Sequence, residues 1–205
     1  MLWSSGSVPR ALDWAALCIA AATHAAADVA YITCQTGDAL SIIDLETGAE
    51  TGRWPLPGKP AGVAVDASGV FTVAADSKTV RRMDPVSGSV VAEVVLDGGP
   101  MGVALDAARN RIFVSDWYAA RIRVLRADDL TVELDLAVGA APAGLAMSSD
   151  GQLLASADRD ADQVSIFDAG TLDLRHRLSV GMRPFGLEHT ITAGIVSRPS
   201  PPTIA

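Results

Sequence analysis

Histidine, cysteine and lysine are scarce in these 205 residues, and each scarcity removes a class of chemistry. The three histidines are His24 near the start, His176 between Arg175 and Arg177, and His189 close to the end. They are too scattered to suggest a metal triad or a nucleophile paired with its base. No Gly-x-Ser-x-Gly, His-Glu-x-x-His, Cys-x-x-Cys-His or phosphate-loop motif occurs. No catalytic residue, metal or cofactor is therefore assigned. Cys18 and Cys34 allow at most one disulfide, which excludes a disulfide-framed mini-protein. Lysine occurs only at 59 and 78, and 16 basic side chains face 24 acids, a net charge of −8. With no basic face for phosphates and no nucleic-acid-binding signature, nucleic acid is not expected as a partner. No apolar run approaches the roughly 18 residues of a membrane-spanning helix.

Residues 1–27 have the three parts of a secretory signal: Arg10, an apolar stretch from Ala11 to Ala22, and Ala25-x-Ala27 before Asp28. Asp13 opposes insertion, and an N-terminal helix packed on the domain is the other reading of this segment. A lipoprotein is excluded because Leu17 precedes Cys18 where a small residue is usual. Cleavage before Asp28 predicts a periplasmic or secreted bacterial protein, without membrane insertion, whose one remaining thiol is Cys34. With no histidine near it in sequence, Cys34 is read as a small packed side chain at a strand end.

What the remainder has in abundance is repetition. Lys59-Pro60-Ala61-Gly62-Val63, Gly99-Pro100-Met101-Gly102-Val103, Ala141-Pro142-Ala143-Gly144-Leu145 and Arg183-Pro184-Phe185-Gly186-Leu187 are one motif, with prolines 40, 42 and 42 residues apart. The tetrads at Tyr31, Phe71, Phe113 and Ala155 keep the same spacing, as do Asp44, Asp84, Arg126 and Asp168. Each unit divides into four short β-patterned segments, Gly62–Asp66, Val70–Ala74, Thr79–Asp84 and Val90–Leu96 in the clearest case, separated by turn formers. Helix periodicity is absent. Four strands in about 40 residues is the unit of a β-propeller blade. Proline, lacking an N–H, suits a strand start, and the glycine two residues later suits close approach of neighbouring innermost strands. The recurring Asp44, Asp84 and Asp168 are expected to cap the turn after the third strand.

With Pro-x-Gly-Val-Ala-Val-Asp upstream and Ser-Ile-Ile-Asp-Leu-Glu-Thr-Gly at 41–48, the tetrads YITC, FTVA and FVSD resemble the YVTN repeat of YncE-like β-propeller proteins. The resemblance covers about residues 29–188. It implies an exported bacterial propeller, a seven-bladed ring in typical members, related in architecture to amine dehydrogenase heavy chains and other quinoprotein-associated propellers. The matched residues are structural and imply no activity.

Counted from a second strand at Val29–Thr33 to an isolated first strand at Pro184–Glu188, the chain predicts sixteen strands, or four blades. The last strand is free to complete the first blade by ring closure. The resemblance to a wider ring favours an open arc, whose uncovered faces and edges invite self-association. Residues 189–205 form an aberrant Pro-rich tail. PFGLEHTITAGIVS is similar to a segment of HtrA/Do-type serine proteases that precedes their nucleophile, but the Gly-Asn-Ser-Gly-Gly motif is missing and no protease residue carries over. The tail is read as foreign or frame-shifted sequence joined at PFGL, which makes a truncated, non-functional product one alternative.

Loops at the ends of a propeller and its central channel are where ligands bind. Two loops are candidates. Asp116-Trp117-Tyr118 places two aromatics at a tip, with packing on the next blade as the competing reading. Asp158-Arg159-Asp160-Ala161-Asp162 offers alternating carboxylates, but Gln163 and Ala169 stand where a calcium loop wants Gly and Glu. A solvated hairpin with Arg159 paired between acids is preferred there. The expected function is a non-catalytic scaffold for a protein or small-molecule ligand, plausibly beside a periplasmic redox enzyme. The alternative is an amine dehydrogenase heavy-chain relative or a metal-dependent lactonase, which needs carboxylates converging on the axis.

Overall fold

The computed structural model describes residues 28–188, which form fifteen strands and two short 3-10 turns. The leader (1–27) and the tail (189–205) lie outside the described residues. The first sheet has three strands: β1 (Val29–Cys34), β2 (Ala39–Asp44) and β3 (Glu50–Pro55). The second has four, β4 (Pro60–Asp66), β5 (Gly69–Ala74), β6 (Thr79–Met83) and β7 (Val90–Val95). The third comprises β8 (Pro100–Asp106), β9 (Arg111–Asp116), β10 (Arg121–Arg126) and β11 (Val132–Ala137). The fourth comprises β12 (Pro142–Met147), β13 (Leu153–Asp158), β14 (Gln163–Asp168) and β15 (Leu174–Ser179). Every sheet is an antiparallel meander of consecutive strands, so the chain is all-β and built of propeller blades.

Pro60, Pro100 and Pro142 each open an innermost strand, and the pairing of that strand shifts register just after it, between Pro60 and Val63, Pro100 and Val103, and Pro142 and Leu145. The irregularity spares a ladder position that proline cannot fill. Glycine at the third position then lets adjacent blades touch through backbone. A Cβ on Gly62 would stand 2.8 Å from the Met101 carbonyl oxygen, and one on Gly144 would stand 2.6 Å from that of Phe185.

Blades pack face to face, and the alternation of side chains decides which residues meet. Leu40, Tyr31, Trp54 and Leu56 of the first blade meet Val63, Val70 and Met83 of the second. Phe71, Val80 and Leu96 of the second meet Ile112, Val114 and Leu125 of the third. Phe113, Ile122, Val124 and Leu136 of the third meet Leu145, Leu154 and Phe167 of the fourth. Second strands of the inner blades are therefore covered on both faces, and every residue of β5 is buried. Burial of side chains this size contributes about 1.5 to 3 kcal/mol each.

The turn after each third strand is built the same way four times. Asp44 Oδ1 accepts from the N–H groups of Glu46 and Thr47, Asp84 Oδ1 from those of Val86 and Ser87, and Asp168 Oδ1 from those of Gly170 and Thr171. These bonds confirm the capping role expected of the three acids. Where Arg126 replaces the acid, the backbone bonds of the turn persist, Arg126 N–H to Thr131 O and Leu130 N–H to Arg126 O. Arg126 instead pairs with Asp128.

One expected strand is absent. Residues 184–188 are not a strand, although Gly144 N–H donates to Phe185 O at 2.9 Å and so seats the segment beside β12. The reason is pairing: β1 pairs only with β2, and no described second strand follows residue 188. Among the described residues the segment therefore does not complete the first blade, and the four blades form an open arc.

Candidate functional site

The starts of the innermost strands converge on a groove of about 420 Å³. Its walls are the Pro-x-Gly segments of four successive units, with Thr33 and Gln35 of the first blade at one end. The variable residue of each motif, Ala61, Met101, Ala143 and Phe185, is among the lining, as is the aliphatic residue after each glycine, Val63, Val103, Leu145 and Leu187. None of the fifteen lining residues carries an ionisable side chain. The hydroxyl of Thr33 is already committed, donating to Ala61 O at 2.8 Å. The groove thus offers backbone edges and apolar walls, with one amide side chain, Gln35, at its end. It contains none of the carboxylates that a lactonase-type metal centre at the axis requires.

The candidate loops are placed differently from one another. Asp116 is buried and structural: it accepts from Gly99 N–H at 3.0 Å and from Arg121 Nε at 3.0 Å, with Arg123 Nη2 at 3.4 Å. Arg121 also binds Asp97 and Asp135, and Arg123 pairs with Asp97, so the cluster ties the end of β9 to β10 and β11. Trp117 packs against its neighbours, with the Phe185 ring 6.2 Å away and the Arg159 guanidinium 5.5 Å from its ring centre. That contact brings the aromatic loop to the wall of the groove. Tyr118 alone of the three is open, 79% exposed.

The acidic hairpin does not gather its carboxylates. Asp158 is fully buried and receives four neutral donors, Ser156 Oγ at 2.7 Å, Ser165 Oγ at 2.6 Å, Gln163 Nε2 at 2.8 Å and Gly139 N–H at 2.9 Å. Asp160 pairs with Arg159 at 2.6 Å. Asp162, at φ +51°, accepts from Arg183 N–H at 2.8 Å, as Asp38 accepts from Lys59 N–H at 2.9 Å three repeats earlier. These three carboxylates point to three different tasks, and each task holds the scaffold. Cys34 Sγ lies 3.4 Å from Ser41 Oγ, and His176 sits on the exposed outer strand β15.

The lining of the groove was not singled out from sequence by residue, although the motif that forms it was. The variable second position of Pro-x-Gly is the signal that marks it: Ala, Met, Ala and Phe between a constant proline and a constant glycine.

No family model matches the chain, and no curated protein matches it. Among solved structures it is similar to hydrazine synthase from Kuenenia stuttgartiensis, with a TM-score of 0.65 and 18% identity over 73% of this chain and 45% of that one. It is also similar to virginiamycin B lyase from Staphylococcus aureus, with a TM-score of 0.64 and 19% identity over 77% of this chain and 55% of that one. The chain spans about half the length of the solved structures it matches. At these identities the likeness shows the fold, a β-propeller.

Proposed function

We propose that this chain is an exported, non-catalytic β-propeller repeat protein that binds a protein segment or a small molecule in the groove along its innermost strands. The observation that carries this reading is the character of the lining: fifteen residues with no ionisable group among them, around a volume in the range of ligand-binding clefts. General acid–base or nucleophilic chemistry needs a titratable or nucleophilic group within hydrogen-bond reach of the reacting atom. Apolar walls with free backbone edges instead suit an apolar or aromatic moiety held by a few main-chain hydrogen bonds. The YVTN-like repeat and the leader-like first 27 residues support a periplasmic or secreted setting, and the resemblance to quinoprotein-associated propellers supports a role accessory to a redox enzyme.

Calorimetric titration of the full chain with a set of neutral aromatic fragments tests the binding role. Phe185→Ala removes the aromatic wall and is expected to weaken binding about tenfold, or ~1.4 kcal/mol. Tyr118→Ala is expected to leave it unchanged. Binding indifferent to Phe185→Ala, or metal-dependent turnover of a lactone, overturns the reading. Export is tested separately by N-terminal sequencing of the periplasmic form, which is expected to begin at Asp28.

A further inference from the structure

The two ends of the arc are complementary. Among the described residues the first blade has no innermost strand: β1 pairs with β2 on one edge, and its other edge has no described partner. Beyond the fourth blade stands a surplus innermost segment, 184–188, seated beside β12 with no second strand of its own among the described residues. It starts as the others do, with Arg183 at φ +55° where Lys59 and Ala141 have +61° and +51°.

The faces at these ends are the same two faces that pack against each other three times within the chain, left open. On the fourth blade, Leu178 and Val180 are 49% and 41% exposed, whereas their counterparts Leu136 and Val138 on the third blade are 8% and 9%. On the first blade, Ile32 is 48% exposed, whereas Thr72 and Val114, at the same position of the next two blades, are 1% and 0%. Apolar groups exposed on both terminal faces are those that every internal boundary covers.

We propose that a second copy of this chain covers both ends, head to tail, with residues 184–188 of one copy supplying the missing innermost strand of the other's first blade. The register follows from the intact blades. Pro60 pairs with Ala74 and Val63 with Thr72; Pro142 pairs with Asp158 and Leu145 with Ser156. By the repeat spacing, Pro184 stands opposite Cys34 and Leu187 opposite Ile32 of the partner copy. The partner's first blade then sits where a fifth blade would, placing its Ile32 face on Leu178 and Val180. Two such junctions close two arcs into a ring of eight blades, within the known range for propellers, through identical junctions related by a two-fold axis.

Cross-linking tests the junction directly. In a Cys34→Ser background, the full chain carrying Ile32→Cys and Leu187→Cys is oxidised mildly, with each single-cysteine variant as a control. The expected product is a disulfide between the thiols at 32 and 187 of different chains, in a particle of twice the chain mass by light scattering. A link within one chain means the ring closes on itself and overturns the proposal. A cooperatively melting monomer means the chain's own remaining residues cover the faces, and an assembly without the 32–187 link means another interface; either result overturns it too.

A second variant separates assembly from folding. Unlike Gly62, Gly102 and Gly144, Gly186 has nothing among the described residues within 4 Å of where its Cβ would be. In the assembly it meets the next innermost strand of the partner, as Gly62 meets Met101. Gly186→Ala is therefore expected to leave the melting of the dissociated chain, read at concentrations below dimerisation, unchanged while weakening dimerisation at least tenfold. Unchanged dimerisation overturns the proposed register.

Discussion

Ser115 and Ala143 belong to different blades and are joined by one hydroxyl: Ser115 Oγ donates to Ala143 O at 2.7 Å while accepting from Gly102 N–H at 2.8 Å. Thr33 and Ala61, also 28 residues apart, make the same bridge between the first two blades at 2.8 Å. In two of the four tetrads a polar third letter, Thr33 or Ser115, thus ties its own blade to the innermost strand of the next; Val73 and Ala157 hold that position in the other two. Ser115→Ala leaves a buried N–H and a buried carbonyl without their partner. It is expected to destabilise the chain by about 1 to 3 kcal/mol, read from the midpoint of urea unfolding.

Gly102→Ala tests the close approach of innermost strands. Its Cβ would overlap the Ala143 carbonyl oxygen, a backbone atom that has little freedom to yield. The expected cost is about 3 kcal/mol, the upper end for overpacking. Gly48→Ala makes the contrast, since its φ of +68° is left-handed but nothing lies within 4 Å. Its expected cost is about 1 kcal/mol, and equal losses at the two positions would contradict steric crowding as the reason for the motif glycine.

The neighbours Asp116 and Tyr118 are expected to behave in opposite ways. Asp116→Ala removes the buried acceptor of Gly99, Arg121 and Arg123 and leaves guanidinium groups short of a partner. A loss of about 3 to 5 kcal/mol is expected in chemical denaturation. Tyr118→Ala, on an exposed ring, is expected to change stability by less than about 0.5 kcal/mol.

Acid sensitivity follows from the turn acids. The N–H of Thr171, with the Arg175 guanidinium and the N–H of Gly170, holds the Asp168 carboxyl down at about 2; Asp44 and Asp84 are lowered by the N–H groups of Thr47 and Ser87 in the same way. A folded-state value below that of the unfolded chain stabilises fully above about pH 4 and loses its effect as pH falls toward 2. Melting temperature is therefore expected to drop across that window. The gap between the wild-type chain and Asp168→Asn is expected to close as pH approaches 2; a gap constant over that range would contradict the account.

Much of this fold was legible because a repeat states its own boundaries. The strands around Phe71, the proline at each innermost strand and the capping by Asp44, Asp84 and Asp168 all follow from three registers of one spacing. The letters at Pro184 match a strand, but strand formation needs a paired neighbour, which local sequence does not supply. The site was less legible. Asp116, Asp158 and Asp162 stand at loop tips in the sequence, yet Asp116 and Asp158 turn inward to satisfy buried donors, and Asp162 accepts from the Arg183 amide. Their partners come from strands and turns that sequence proximity does not reveal. Trp117 packs on the neighbouring blade, which was the plainer of its two readings. The groove escaped notice residue by residue because its chemistry is mostly backbone, and glycine or alanine in a list of residues signals nothing until four copies stand side by side.

Methionine methyl NMR of the full chain gives the most direct test of the groove as the binding site. Among the described methionines, Met101 lines the groove, Met83 is sealed in the core between the first two blades, and Met182 is 88% exposed away from the groove lining. Titration with neutral aromatic fragments is expected to shift Met101 saturably and to leave Met83 and Met182 in place. Saturable binding that leaves Met101 unmoved, or that moves Met182 instead, would contradict the groove as the site.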